Sequence, residues 1–485
     1  MAFQTHVFRN FGRNVEFSPR HAFAPSNEDE LLQILRDHRG ARIRAIGRMH
    51  SWSSAVVAED VLLDMRHFDH VQVERVQVDQ VESEWWATAG AGCQIKRLLS
   101  ELQRLADLTT PTLGLITEQS IAGAAATATH GSGRHCWSHY LAEIRIAHYD
   151  AHGNPTISTI GEGPELEAAR CGLGCLGIVV SVRFRCRPAY RVEEHLHEYA
   201  TLDEVLAAEL EFPLQQFYLI PWRWRYLGQH RRETTAPRSW FARAYRWYWF
   251  LTIDLGLHLS ILLLVRICRS RSLIKVFFSR LASPAVIKNW TVVDRSEDML
   301  VMEHELFRHI ETEIFVRSSQ LASAMDFVRE ILQHCGGDRD ALSVSTRRRL
   351  AEQGLLDDAL KLAGTYTHHY VICVRKILAD DALISMTGGG DEHYYSISLI
   401  SYARPAERAG FLATSDLLVR SMAKSFGARP HWGKYCPLDR ELVRALYPSV
   451  AEFAAIARKL DPDGAFRNRW LDDLIFDERS DVAPR

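Results

Sequence analysis

The first 190 residues contain three turns that are rich in glycine and other small residues. They read IGRMHSW at 46–52, GLITEQSIAGAAATATHGSG at 114–133 and CGLGCLGIVV at 171–180. Glycine permits tight bends, and the exposed backbone N–H groups of such bends form concavities that bind the oxygens of a pyrophosphate. The sequence therefore predicts a region that folds around a long phosphate-containing ligand.

Two other nucleotide motifs are not satisfied. In WWATAGAGCQIKRLL, at 85–99, a strand, the glycines of 90–92 and a helix follow in the order of an NAD-binding fingerprint, but Ile95 occupies the third glycine position. That fingerprint needs a glycine there because the helix packs closely on the strand. No segment matches the GxxxxGK[ST] phosphate loop. The residues therefore favour an ordinary strand-to-helix turn at 90–92.

The patterning predicts an α+β fold. PSNEDELLQIL predicts a helix with Ser26 as its N-cap, and CQIKRLLSELQRLADL predicts an amphipathic helix that packs on a sheet. Strand-like segments such as AEIRIAHYD and GIVVSVRFRC surround them in hairpin-like order. Helices and strands mixed in this way are more typical of α+β architecture than of a doubly wound sheet.

Composition sets the broad class of the protein. The chain has 485 residues, 47% of them hydrophobic, which is enough for more than one core, and a formal net charge of -2 excludes a generally basic nucleic-acid wrapper. The nine cysteines are odd in number and include no CxxC pair, so we expect reduced thiols, no metal site and a cytoplasmic location. The N-terminal segment has no apolar run typical of a secretory signal.

The three turns, together with ARPHWGKYC at 428–436, resemble the vanillyl-alcohol oxidase and PCMH superfamily of FAD-linked oxidases. The closing motif is similar to that of the aldonolactone and alditol oxidase branch, which includes D-arabinono-1,4-lactone oxidases. The resemblance covers roughly residues 10–190 and 305–475. It implies three parts: a two-subdomain PCMH-type FAD-binding domain at 1–190, an α+β substrate cap domain at 191–420, and a C-terminal segment at 421–485 that returns to the FAD domain.

The resemblance also implies FAD as the cofactor, with His50 joined to it covalently. A neutral imidazole nitrogen is a suitable nucleophile for the electrophilic methide tautomer of a flavin. The alternative is a histidine that only contacts FAD or caps a turn. The remaining FAD contacts implied by the family are Gly47, Arg48, Met49 and Ser51 at the pyrophosphate, Ser120, Gly123, Thr127, Thr129, His130 and Gly131 in the second turn, and Gly172, Gly177 and Ile178 near the adenine.

Three residues are implied to be catalytic. The family places a Glu-x-Arg pair on a strand above the flavin, and VICVRKILADD, at 371–381, supplies Arg375 but has Cys373 in the glutamate position. Strand alternation predicts that both side chains share one face. A thiol accepts a proton less well than a carboxylate, so either Cys373 only shapes the pocket or another group takes the proton. Lys434 of the HWGK segment is the cation expected to polarise the substrate hydroxyl.

One segment departs from the family pattern. RAYRWYWFLTIDLGLHLSILLLVRICRSRSLIKVFFSR, at 243–280, is apolar but interrupted by Arg246, Asp254 and His258, and its piece at 255–265 is shorter than the roughly 20 residues of a bilayer span. Between 238 and 280 there are eight Arg or Lys residues and one acid. This pattern favours a helix or helical hairpin on an anionic membrane surface. A buried cap helix, a dimer contact and a true span are the alternatives.

The resemblance implies an oxidase that transfers hydride from a CH–OH group of a sugar lactone or polyol to flavin N5, with O2 as acceptor and H2O2 as product. Gly114 falls where the family has a small residue that controls the approach of oxygen. A sterol or lipid-linked alcohol is the alternative substrate, because the apolar segment and Cys373 depart from the pattern. A quinone is the alternative acceptor, and a membrane-associated flavin-binding protein without turnover is the alternative function. Nucleic acid is not an expected partner.

Overall fold

The structure is a computed structural model that describes residues 7–77, 83–302 and 306–476. Helices and strands are both abundant, and the predicted α+β fold is confirmed. The α-helices outside the apolar segment are Glu28–Asp37, Ile95–Ala106, Ile121–Ala126, Gly163–Arg170, Leu202–Ala207, Ser296–Met299, Leu321–Cys335, Val344–Glu352, Leu356–Lys361, Ala409–Phe426, Arg440–Leu446, Val450–Leu460 and Arg469–Leu474.

Two sheets lie in the N-terminal part of the chain. The smaller sheet is parallel, and its strands in spatial order are His21–Phe23, Val61–Asp64 and Ile43–Ile46. The larger sheet is antiparallel, with the order Pro155–Ile160, Leu141–Tyr149, Ile178–Arg185, Ser83–Gly90 and Val71–Gln77. Two short pairs complete this part: Phe8–Arg9 with Glu16–Phe17, and Arg187–Pro188 with Leu108–Thr109.

An antiparallel sheet of eight strands follows. Its strands in spatial order are Val292–Arg295, Arg191–Tyr199, Arg225–Thr234, Gln216–Ile220, Ile372–Ile377, Tyr394–Ser401, Ile310–Arg317 and Arg429–Pro430. The last strand comes from the 428–436 motif, so the C-terminal part of the chain joins this sheet directly. The predicted domain boundaries near 190 and 420 stay predictions.

The local sequence explains where two of the helices begin and end. Helix Ile95–Ala106 buries Ile95, Leu98, Leu99 and Leu102 along one face and ends at Asp107, which adopts the left-handed conformation. Helix Glu28–Asp37 is the amphipathic helix predicted after Ser26. Its N-cap is Asn27 rather than Ser26.

The apolar segment forms a helical hairpin, residues 242–282, across one face of the eight-stranded sheet. Its first arm is one continuous helix of α and π turns, and Arg269 in the left-handed conformation separates it from the second arm. The helical pieces are Ala242–Trp249, Phe250–Leu257, His258–Leu262, Leu263–Cys268, Arg271–Val276 and Phe277–Ala282. Ile261 and Phe278 are buried against Leu196 and Leu227 of the sheet, so the hairpin is part of the folded core.

Candidate functional site: a loop cleft that meets a sheet cavity

The predicted turns converge on one cleft, which we call the loop cleft. It has a volume of about 150 Å³ and is lined by three stretches of the predicted turns and by the HWGK segment. The predicted residues that line it are Gly47, Arg48, Met49, His50, Ser51, Ser120, Gly123, Thr127 and Gly177. The structure thus brings most of the predicted cofactor contacts to one concavity.

The close approach of the first two turns explains the glycine at position 47. A Cβ atom at Gly47 would lie 1.9 Å from Oγ of Ser120, so a side chain at 47 would separate the two turns. Met49 has φ of 53°, which turns the backbone sharply before His50. The HWGK segment closes the cleft, because the backbone N–H of Trp52 donates a hydrogen bond to the Gly433 carbonyl at 2.8 Å.

The polar groups of this site are chemically suited to bind FAD. Gln119 Oε1 and Thr129 Oγ1 are buried and have no hydrogen-bond partner among the described residues. Gln119 lines the loop cleft, and Thr129 lines the cavity that adjoins it. Buried polar atoms are normally paired, so two such atoms near one concavity indicate a polar ligand there. The uracil-like edge of a flavin ring offers both donors and acceptors to such atoms.

The adjoining cavity, which we call the sheet cavity, lies between the eight-stranded sheet and the helical hairpin and has a volume of about 540 Å³. Most of its wall is apolar. The apolar lining residues include Leu196, Ile220, Leu227, Ile253, Leu257, Phe277, Val286, Val371 and Ile400. Its charged residues include Glu194, Arg231, Arg246, Asp254, Asp298, Glu311, Glu313, Arg375 and Lys434.

The two spaces share part of their lining. Gln119, His431 and Lys434 line both the loop cleft and the sheet cavity. A long ligand in the cleft and a small molecule in the cavity would therefore meet at these three residues. This junction is where a reaction between cofactor and substrate would take place.

Cross-strand pairing places the polar groups of the cavity in two neighbouring rows across the sheet. Glu313 lies opposite Ser398, and Ser398 lies opposite Cys373 on the next strand. Arg375 lies opposite Gln216, and its Nε donates to Gln216 Oε1 at 2.8 Å. Cys373 and Arg375 both line the cavity, so the prediction that they share a strand face is confirmed.

Two of the acids that line the sheet cavity are buried glutamates of strand Ile310–Arg317. Glu311 forms an ion pair with Lys434, whose Nζ also lies 4.5 Å from the ring centroid of Trp52. Glu313 accepts a hydrogen bond from Ser398 Oγ at 2.8 Å and lies 3.3 Å from Nε2 of His130. Burial by itself would raise the pKa of Glu313, but the surrounding His130 and Lys434 hold it well below its usual range.

Two histidines of the site, His431 and His50, are neutral at physiological pH because desolvation lowers their pKa values. Burial lowers the pKa of His431 to about 3. Its Nδ1 accepts the Gly433 N–H at 2.9 Å, so the neutral ring carries its proton on Nε2. Burial likewise lowers the pKa of His50 to about 4, and its ring stacks on Phe11 with centroids 5.0 Å apart.

One group of side chains could also hold a metal ion. The ligand atoms of His130, Glu313 and His431 lie within 4.8 Å of one another, and this is the single such group within 7–77, 83–302 and 306–476. The absence of a metal stays a prediction.

Comparison with known proteins agrees with this architecture. Residues 19–150 match the FAD binding domain model, and residues 182–474, more than half of the chain, match the D-arabinono-1,4-lactone oxidase model. The chain belongs to the D-arabinono-1,4-lactone oxidase family. It is an FAD-dependent oxidoreductase that acts on alcohol or lactone donors, and the predicted family, cofactor and enzyme class are confirmed.

Members and neighbours of this family differ in the substrates that their names give. A long-chain alcohol oxidase from an uncultured marine euryarchaeote is 51% identical over 96% of both chains. An L-gulonolactone oxidase from Scyliorhinus torazame is 27% identical over 97% of this chain and 98% of its own. The crystal structure of cholesterol oxidase from B. sterolicum has a TM-score of 0.75 at 15% identity, covering 98% of this chain and 97% of that one, which shows a shared fold.

Some residues implied by the family resemblance lie elsewhere. Thr129 and His130 line the sheet cavity, while Gly131 borders a small neighbouring pocket. Within the described part of the chain, the lining of the loop cleft does not include Gly114, Gly131, Gly172 or Ile178. The side chain of Ile178 is buried in the core.

Glu311 and Glu313 are not among the site residues predicted from the sequence. Their strand reads IETEIFVR, in which two acids alternate with apolar or small residues. Charged residues are seldom fully buried unless they are paired, so two acids within a strand-like apolar run are a signal for a polar site. This pattern is visible in the sequence and predicts a polar site. It does not indicate which residues the two glutamates contact.

Proposed function

We propose that this member of the family is an oxidase for primary alcohols that carry a long apolar chain. The observation that carries the proposal is the apolar wall of the sheet cavity, which extends from the polar junction to the helical hairpin. Burial of each methylene group contributes about 0.8 kcal/mol, so such a wall favours an aliphatic chain over a sugar ring. The 51% identical long-chain alcohol oxidase supports the same substrate class.

A sugar lactone is the second candidate. It is favoured by the family model that matches 182–474 and by the lactone oxidases and dehydrogenases among the relatives. The polar side chains of Gln216, Arg375 and Ser398, which all line the sheet cavity, could bind ring hydroxyls.

The residues at the junction have separate tasks in alcohol oxidation. Bound FAD supplies the acceptor for the hydride that leaves the substrate carbon. Lys434 and Arg375 hold the hydroxyl oxygen and stabilise the charge that develops on it. The hydroxyl proton passes to the carboxylate of Glu311, because His130 and Lys434 hold the pKa of Glu313 well below its usual range and so make Glu313 a weak base. The alcohol thereby loses one hydride and one proton and becomes an aldehyde.

Molecular oxygen is the electron acceptor in this proposal. The relatives that are named oxidases support this acceptor. Gly114 packs tightly against the cavity wall, because a Cβ atom there would lie only 3.2 Å from Thr129 Cγ2 and 3.3 Å from the His130 carbonyl oxygen. Oxygen would take two electrons and two protons to give H2O2. Formation of one H2O2 for each aldehyde distinguishes this acceptor from a quinone.

Substrate class is tested by chain length. We expect kcat/KM for 1-alkanols, measured as H2O2 formation, to rise about fourfold per added methylene until the cavity is filled. Leu257→Trp narrows the cavity and should lower kcat/KM for 1-dodecanol by roughly 10- to 100-fold while that for 1-hexanol is unchanged. Leu263→Trp, an identical change on the outer face of the same helix, should alter neither value. Faster turnover of L-gulono-1,4-lactone or xylitol, with no dependence on alkanol length, would refute the long-chain proposal.

Covalent attachment of FAD to His50 is a separate prediction. Desolvation of the half-buried ring lowers its pKa to about 4, so the imidazole is neutral at physiological pH and can act as a nucleophile. After acid precipitation we expect yellow flavin in the pellet of the wild type and of His67→Ala, an exposed control, and in the supernatant for His50→Ala. Release of all flavin from the wild-type protein would contradict the prediction.

A further inference from the structure

The helical hairpin presents an apolar outer face. On its first arm Trp247, Leu251, Leu259, Leu263 and Ile267 recur at intervals of four or eight residues, and all five are exposed. The exposed fraction reaches 64% at Trp247 and 72% at Ile267. Isolated exposed apolar side chains are common, but a contiguous stripe marks an interaction surface.

The apolar surface of the described chain is concentrated in this region. Ten of the sixteen exposed large apolar residues lie between 240 and 287. Besides the five residues of the first arm they are Trp240, Leu273, Val276, Leu281 and Ile287. The two arms of the hairpin and the segments next to them therefore form one apolar surface.

Positive charge borders this surface. Arg243, Arg271 and Arg280 are exposed, and so is Arg269, which forms an ion pair with Glu407. Asp254, the acid within the hairpin, is buried and lines the sheet cavity. A surface that combines apolar and aromatic side chains with exposed arginines is complementary to an anionic lipid bilayer.

The inner side of the hairpin is fixed to the protein. Tyr245 donates to Glu194 Oε1 at 2.5 Å, and Ile261 is fully buried. Helix Ala242–Cys268 is the one helix of the described chain that is long and apolar enough to cross a membrane. Its most apolar window of 18 residues has a mean hydropathy of 1.9, and 11% of that window is buried. Because its inner side packs on the sheet, the helix suits a position within the membrane interface rather than across the bilayer.

The sheet cavity reaches the surface at the same face. Leu251 and Leu306 line the cavity, yet they are 54% and 48% exposed. Ala285, at the end of the second arm, also lines the cavity and is exposed. The mouth of the cavity therefore lies beside the apolar surface.

We propose that the outer face of the hairpin docks on an anionic bilayer, at the cytoplasmic side of a membrane, and that the alcohol enters the sheet cavity directly from the lipid. The docking part of this proposal depends only on the exposed residues of the hairpin. The part on entry of the alcohol rests on the proposed function. A long alcohol partitions into lipid, so a mouth that opens in the membrane interface spares it the transfer through water.

Docking is tested by flotation of the intact holoenzyme with vesicles of phosphatidylcholine, with or without one quarter phosphatidylglycerol. We expect the wild type to float with the anionic vesicles at low salt and to bind at least tenfold less at 0.5 M NaCl or without phosphatidylglycerol. The triple variant Trp247→Glu, Leu263→Glu, Ile267→Glu should bind the anionic vesicles at least tenfold less than the wild type does.

The matched control places the same three acids on exposed apolar positions outside the hairpin: Leu210→Glu, Val344→Glu and Leu360→Glu. It should float like the wild type, which separates the hairpin from a simple change in net charge. Equal flotation of both triple variants, or a wild type that never floats, would overturn docking. A dimer that only the hairpin variant dissociates, without flotation, would assign the face to a second copy of the chain.

Entry from the lipid is tested with 1-octadecanol in anionic vesicles and with 1-hexanol in buffer. In the hairpin triple variant, kcat/KM for octadecanol should be at least tenfold lower than in the wild type, whereas kcat/KM for hexanol should be unchanged. Equal loss for both alcohols, or no loss for octadecanol, would overturn entry from the bilayer. If neither alcohol is oxidised while flotation is intact, the proposed substrate class fails and docking stands.

Discussion

Lys434→Met is expected to slow reduction of the bound flavin by the alcohol by about 100- to 1,000-fold, because it removes a preorganised charge from the oxygen that becomes electron-rich. Lys434 lies at the junction of the loop cleft and the sheet cavity, where it pairs with Glu311 and lies over the Trp52 ring. Anaerobic stopped-flow absorbance measures the rate constant directly. FAD content should be unchanged, which distinguishes this effect from loss of the cofactor.

The same substitution leaves Glu311 mostly buried and without its cation. Breaking such a pair costs about 3–5 kcal/mol of unfolding free energy. The double variant Lys434→Met, Glu311→Gln removes the unpaired charge, so it should regain most of that stability and none of the activity. If the double variant recovered the rate of reduction as well, Lys434 would have a structural role only and Glu311 would not be the proton acceptor.

Arg44→Met is expected to lower the free energy of unfolding by about 3–5 kcal/mol, because it leaves buried carbonyl groups unpaired. The Arg44 guanidinium is almost fully buried and donates to the carbonyls of Ala55, Leu173, Gly174 and Phe466 at 2.6–3.1 Å. Burial lowers its pKa to about 10, so it remains charged at neutral pH. One side chain thus fastens two turns of the loop cleft to the C-terminal segment.

The urea midpoint, followed by tryptophan fluorescence, measures this loss of stability. Arg348→Met is the matched control, because Arg348 forms an exposed ion pair with Glu352. Surface ion pairs contribute about 0–1 kcal/mol to the free energy of unfolding, so the urea midpoint of the control should be close to that of the wild type. The urea midpoint of Arg44→Lys should lie between those of the wild type and Arg44→Met, since an ammonium group cannot reach all four carbonyls. An Arg44→Met midpoint equal to that of the control would contradict the role assigned to Arg44.

The turns of the loop cleft could be predicted because their conformation depends on nearby residues. Gly47 and Gly177 mark sharp bends or close approaches whatever the rest of the fold does. The rejected NAD fingerprint at 90–92 follows strand Ser83–Gly90, which is antiparallel to both of its neighbours. An NAD-binding sheet requires parallel strands there, so the missing third glycine was the correct signal.

Other features depend on competition between neighbours or on contacts far apart in the chain. Asn27 caps the first helix because its side chain accepts the Glu30 N–H at 2.9 Å, while the Ser26 N–H donates to the Glu30 carboxylate. Glu313 and Cys373 face each other across Ser398 only because of strand order. Sequence spacing carries no information on that order, so the carboxylates at the junction could not be placed beside the thiol.

The central claim is that an alcohol in the sheet cavity meets FAD at the junction of Gln119, His431 and Lys434. Its most direct test is anaerobic mixing of the oxidised holoenzyme with 1-dodecanol. The account predicts that the yellow absorbance bleaches at a rate that saturates with alcohol concentration and that one equivalent of dodecanal forms per flavin. A flavin that stays oxidised with dodecanol, while L-gulono-1,4-lactone bleaches it, would contradict the account.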